Sequence, residues 1–153
     1  MSWTLALPIL VPFCAAAAAF LLRNRRGSGW ISVLGAVASV VLAIRLLLAV
    51  VENDVIATQM SAWDAPFGIT LAADYLSAAM VLITAIISLG VSVWAMAEVG
   101  QISTRMGWHG LFQTLIGGVT GAFLTGDLFN LYVWFEVLLI SSFGLLVIGG
   151  QRK

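Results

Sequence analysis

Apolar positions in this chain come in long unbroken blocks separated by short polar breaks, with none of the alternation a half-buried strand would show. The blocks cover residues 3–22, 30–51, 75–97, 108–125 and 128–148. A bilayer's hydrocarbon core, about 30 Å thick, is crossed by roughly 20 apolar residues in a helix. The pattern therefore predicts an all-α, polytopic membrane protein of about five transmembrane helices, forming a single transmembrane helical domain over residues 1–153.

The breaks set the ends and the orientation. Arg23, Arg25 and Arg26 follow the first block, whereas a cleavable signal peptide carries its positive charge ahead of the apolar stretch, so the first span is expected to be retained. Gly27–Gly29 supply the turn, and Trp30 anchors the start of the second span at the interface. Residues 52–73 carry Glu52, Asp54 and Asp64 and read as an external loop, with WDAPFG as a turn and Trp63 and Phe67 at the interface. Asp74 heads the third span and Asp127, in the short Thr125–Gly126–Asp127 turn, heads the fifth; both suit helix caps at the positive end of the dipole. With five spans the basic residues at 23–26, 105 and 152–153 fall on one side of the membrane. Lys and Arg mark the cytoplasmic side, which puts the N-terminus outside and the C-terminus in the cytoplasm of a multi-pass cell-membrane protein.

Composition agrees. Hydrophobic residues make up 61% of the chain and charged residues 9%, against about 45–50% and 25% in soluble domains. A net charge of zero gives no reason to expect a nucleic-acid partner. Cys14 is the sole cysteine and has no intrachain disulfide partner. The sequence holds no metal-ligand cluster, glycine-rich phosphate loop or nucleophile–base pair, so no metal, cofactor or catalytic activity of its own is expected. Small residues prepare helix contacts: the alanine run 15–19, and Gly117, Gly118 and Gly121, of which Gly117 and Gly121 form a G-x-x-x-G. Pro8 and Pro12 loosen the first span. Ser77, Thr84 and Ser88 form a polar stripe on the third, read as helix packing.

The chemistry concentrates at Glu136, eight residues into the fifth span and roughly 12 Å from its start. A charged side chain at mid-bilayer costs at least roughly 2.5–3.5 kcal/mol, which makes it a functional candidate by default. At 100° per residue its face holds Phe129, Tyr132, Val133, Leu139, Ile140 and Phe143, while Asn130, Ser141 and Ser142 point away. Only Tyr132 offers a polar group beside it. Such a carboxyl is neutral alone and ionised beside a cation, which is the behaviour a proton relay needs. Within the spans the one basic candidate partner is Arg45, whose stem either snorkels to the outer interface or turns inward toward Glu136. His109, at the cytoplasmic mouth of the fourth span, reads as an interfacial residue, with an accessory role in proton relay as the other reading.

The string LTGDLFNLYVWFEVLLISSFGLLVIGG, preceded by WDAPFGITLAADYLSAAMVLITAIISLGV, closely resembles the N-terminal part of the D subunit of Mrp-type multisubunit monovalent cation/proton antiporters. That subunit is similar to the antiporter-like, proton-translocating subunits of respiratory complex I. The resemblance implies a component of a Na+/H+ antiporter that works with other subunits, protons and a monovalent cation in the lipid bilayer. It also implies that Glu136 pairs with a lysine on a broken helix further along, and that this chain is one part of such a subunit. Two alternatives stand beside it: a proton-translocating subunit of a complex I-like or hydrogenase redox pump, and a structural or assembly piece without transport.

Overall fold

The apolar blocks form helices because, away from water, a chain satisfies its backbone N–H and C=O groups within its own segment. The computed structural model describes residues 3–24, 27–60 and 68–150. The WDAPFG turn, apart from Gly68, and Arg25, Arg26, Arg152 and Lys153 lie outside the described residues. The elements are α1 (Trp3–Leu21), α2 (Ser28–Asn53), β1 (Ile56–Gln59), β2 (Thr70–Ala73), α3 (Tyr75–Glu98), α4 (Gln101–Arg105), α5 (Trp108–Leu124) and α6 (Leu128–Gly150). Helices α1, α2, α3 and α6 are each long and apolar enough to cross a membrane. Helix α5, with 17 residues, extends roughly 25 Å at 1.5 Å per residue. The chain is a polytopic, all-helical membrane protein.

Helix α2 packs against α3 and α1, α1 against α5, and α5 against α6. The apolar centre joins Leu5 and Ile9 of α1, Leu46 and Val50 of α2, Val81 and Ala85 of α3, and Leu124 of α5. Small residues let the backbones approach. A Cβ added to Gly35 would stand 2.5 Å from the Ala15 Cβ, so the alanine run of α1 lies directly on α2. Helix α2 begins at Ser28 and not at Trp30, so Gly29 belongs to its first turn.

The segment expected as a plain loop holds a hairpin. β1 and β2 pair antiparallel from Ile56↔Ala73 to Gln59↔Thr70. Four-residue strands are too short for their alternation to register against the apolar blocks around them. A tight turn at Asp54 (φ 60) leads from α2 into β1, closed by the Val55 N–H donating to the Asn53 carbonyl at 2.7 Å. The Tyr75 hydroxyl donates to Asp54 Oδ1 at 2.9 Å and ties the start of α3 to this turn.

The hairpin also fixes the start of α6. Leu71 forms a bridge with Thr125, and the Gly126 N–H donates to the Thr70 carbonyl at 2.8 Å. Asp127 completes the junction, because its Oδ2 accepts from the Thr70 N–H at 3.1 Å while Oδ1 caps α6 by accepting from the Asn130 N–H at 2.6 Å. At α3 the Asp74 Oδ1 accepts from the Ser77 N–H at 2.8 Å. These backbone hydrogen bonds hold the Asp74 carboxyl below its ordinary pKa.

Candidate functional site

Helix α6 has two unlike faces. Asn130, Ser141 and Ile148 are buried on one side, with Trp134, Val137, Leu138 and Gly144 partly buried between them. This is the side laid on α5. An added Cβ at Gly118 would come within 3.2 Å of Leu138 Cδ2 and Val137 Cγ1, and one at Gly144 within 2.9 Å of Leu111 Cδ1. The other side carries Phe129, Tyr132, Val133, Glu136, Leu139, Ile140 and Phe143, all exposed. The face assigned to Glu136 by helical period is thus the face turned away from the bundle.

Glu136 is the ninth residue of α6, roughly 12 Å along it. The Tyr132 side chain, one turn earlier, stands beside its carboxyl. No ion pair compensates Glu136 among the described residues. Arg45 in particular does not reach it: α2 packs on α3, α1 and α5, and Arg45 is exposed on α2 beside buried Ala43 and Leu46. The expectation of a possible Arg45–Glu136 pair is corrected here, because similar depth along two helices does not make those helices neighbours.

The G-x-x-x-G of α5 also works differently from a single helix crossing. Gly117 receives the Phe13 ring of α1, with an added Cβ 2.8 Å from Phe13 Cε2, while Gly121 receives the Trp134 indole of α6. The two rings meet across α5 with centroids 6.1 Å apart. Four residues of α5 therefore seat two aromatic knobs from opposite neighbours, and Trp134, two residues before Glu136, fixes the rotation of α6.

His109 is 3% exposed and lies in the first turn of α5, with the Trp108 ring edge-on at 5.2 Å. It is buried within the helix ends and not laid out at the interface, since the start of α2 (Gly29) and the end of α3 (Met96) close over it. The stripe expected on α3 is also redrawn. Ser88 is buried, but Ser77 serves the Asp74 cap and the Thr84 hydroxyl donates to its own helix at Met80. The buried face runs Ala78, Val81, Ala85, Ser88, Ser92, Ala95.

One polar cluster was not anticipated. Gln113 of α5 is fully buried, and its Nε2 donates to the Ser32 carbonyl at 2.7 Å and to Ser32 Oγ at 3.0 Å. Ser32 Oγ in turn lies 3.2 Å from Ser92 Oγ, so α2, α3 and α5 are joined by side-chain hydrogen bonds inside the bundle. The available signal was a lone amide within an otherwise apolar block.

The arrangement defines a class: a helical membrane module whose last described helix presents a mid-span carboxylate on an outward apolar face. No protein-family model matches the chain. Over 147 residues the chain is 40% identical to the D subunit of the Na+/H+ antiporter of Bacillus subtilis (strain 168), a match covering 95% of this chain and 30% of that protein. Its fold matches a chain of the Mrp complex from Dietzia sp. DQ12-45-1b with TM-score 0.83 and 27% identity, over 95% of this chain and 27% of the other. It also matches a chain of the membrane-bound sulfane sulfur reductase, an archaeal respiratory membrane complex, with TM-score 0.85 and 26% identity, over 93% of this chain and 30% of that one. The chain is thus similar to antiporter D subunits, and it spans about 30% of the length of the B. subtilis relative it matches.

Proposed function

We propose that this chain is a component of a multisubunit monovalent cation/proton antiporter, of the Na+/H+ kind, in which Glu136 takes up and releases a proton inside the membrane. One observation carries the reading: Glu136 stands mid-way along α6 on an exposed apolar face, with the Tyr132 hydroxyl as its only described polar neighbour. An ionised carboxylate facing lipid there costs roughly 2.5–3.5 kcal/mol or more. Protein packed over that face, bringing a cation, removes this cost and makes the carboxyl's protonation depend on that cation. The five helices thus act as the scaffold for one half of a relay pair. The other half, a membrane lysine by the family resemblance, comes from outside the described residues.

The test is cation-driven proton flux in everted membrane vesicles that hold the assembled complex. Glu136→Gln, close in shape and without a titratable proton, is expected to abolish flux while the complex still co-purifies intact. Unchanged flux in that variant would remove the relay role and leave the structural or assembly reading.

A second reading has its own support in the similarity to a chain of a respiratory membrane complex. There the same carboxylate would serve a redox-driven proton pump, and the chain would be part of an oxidoreductase. Co-purification separates the two, with antiporter subunits expected under the first reading and iron–sulfur subunits under the second.

A further inference from the structure

At the end of the bundle away from the hairpin, the turn after α1, the start of α2, the end of α3, α4 and the start of α5 border an open cavity of about 490 Å³. Arg23, Arg105, Asn24 and Thr104 line it together with Gly29 and His109. Two features give it positive character. Arg23 and Arg105 come from elements some 80 positions apart, yet both residues line the same space, and no ion pair among the described residues engages either. Gly29 and His109 are each the second residue of a long helix, and both helices start from a glycine, Gly27 or Gly107, with no side-chain cap. Two sets of uncapped N–H groups, each at a positive dipole end, therefore border the cavity. His109 is 3% exposed, and its Nδ1 has no hydrogen-bond partner. Glu98 closes α3 nearby as the opposing charge, and it is held by an interaction of its own.

We propose that this cavity binds a phosphate group, supplied by the headgroup of an anionic phospholipid. Arg23 and Arg105 match phosphate in geometry, since a guanidinium donates a fork of two N–H groups to paired oxygens. The helix starts at Gly29 and His109 add backbone donors of the kind that receive anions elsewhere. Depth selects the lipid source. Trp30 and Trp94 are exposed, and with Trp108 they mark this end of the helices as the level where tryptophans sit among headgroups. The cavity is several times the volume of a phosphate group and leaves space for the glycerol beyond it.

Native mass spectrometry of the protein, in the assembly in which detergent extracts it, tests this with phosphatidylglycerol and phosphatidylcholine at equal concentrations. The wild type is expected to retain one phosphatidylglycerol in preference to phosphatidylcholine by about tenfold or more, because the two lipids share the phosphate but the choline cation is repelled by the arginines that hold it. Arg105→Gln and Arg23→Gln each abolish that preference. Arg45→Gln, which removes an equal charge on α2 away from the cavity, keeps it. Because His109 is buried and its replacement could disturb folding, the two exposed arginines carry the test. Added inorganic phosphate that fails to displace the lipid supports the headgroup as occupant; displacement supports the same site with free phosphate as its occupant. Equal retention of the two lipids, or a preference lost as much in Arg45→Gln as in Arg105→Gln, overturns the proposal in favour of general surface attraction.

Discussion

Replacing three helix glycines by alanine separates packing from helix propensity in this bundle. At Gly121 the new Cβ would fall on the benzo ring of Trp134, with Trp134 Cε2 at 2.5 Å and Cε3 at 2.6 Å. A half-buried indole seated between two helices has little room to swing clear, so α6 must move or Trp134 must leave its rotamer, and overpacking of this kind costs roughly 1–3 kcal/mol. At Gly118 the nearest atoms are Leu138 Cδ2 and Val137 Cγ1, both at 3.2 Å. These branch ends can yield by a few tenths of an ångström, so the cost stays below about 1 kcal/mol. At Gly90 no heavy atom lies within 4 Å of the new Cβ, and alanine stabilises the helix by about 0.5–1 kcal/mol. The predicted order of stability is Gly90→Ala above wild type, Gly118→Ala slightly below, and Gly121→Ala lowest. Unfolding of the purified protein in detergent, followed by loss of helical circular dichroism against denaturant, reads it directly. Combining Gly121→Ala with Trp134→Leu should cost less than the two single changes summed, because the smaller side chain vacates the clash. Equal effects at Gly121 and Gly90, or strict additivity with Trp134→Leu, would refute the seating of Trp134 on Gly121.

Asp74→Ala should lower stability by about 1 kcal/mol through loss of the α3 cap, measured in the same unfolding assay at neutral pH. The folded pKa of Asp74 lies below its ordinary value, so the cap's contribution is complete above the unfolded pKa of about 3.9 and is lost as pH falls through the lowered value; the stability gap between wild type and Asp74→Ala should close only in that acid range. In the buried cluster, Ser92→Ala leaves Gln113 bonded to Ser32 and should cost less than about 1 kcal/mol. Gln113→Ala opens a void and removes both hydrogen bonds to Ser32, leaving its hydroxyl with Ser92 alone, for about 2 kcal/mol or more. A Gln113→Ala protein as stable as Ser92→Ala would show that the cluster does not tie the three helices.

The helices were legible in the sequence because spanning length and helical period are local properties of a chain. The same logic placed Glu136, Tyr132, Phe129 and Phe143 on one face of α6 with Asn130 and Ser141 opposite, as the structure has them. What one helix presents is written in its own residues. Which helix stands next to it is not, and the possible Arg45–Glu136 pair failed on that point, since α2 faces α3 and α1. The glycines of α5 could be read as contact points but not assigned to Phe13 and Trp134, because the partners lie about a hundred positions upstream and a dozen downstream. The β1–β2 hairpin escaped notice because four-residue strands leave little periodic signal, although its register fixes Thr70 against Asp127 at the start of α6. Gln113 differs again: an amide in an apolar block needs a buried partner, and that inference was open from the sequence alone.

Under the proposed relay, the Glu136 carboxyl changes its protonation state as the assembled complex exchanges its cation. Infrared difference spectroscopy of the complex in membranes, recorded on adding and withdrawing Na+, observes that carboxyl directly, with Glu136→Gln assigning its band. The prediction is a protonated-carboxyl band that rises and falls reversibly with the cation in wild type and is absent from Glu136→Gln. A wild-type difference spectrum identical to that of Glu136→Gln would contradict it, and with it the place of Glu136 in proton transfer.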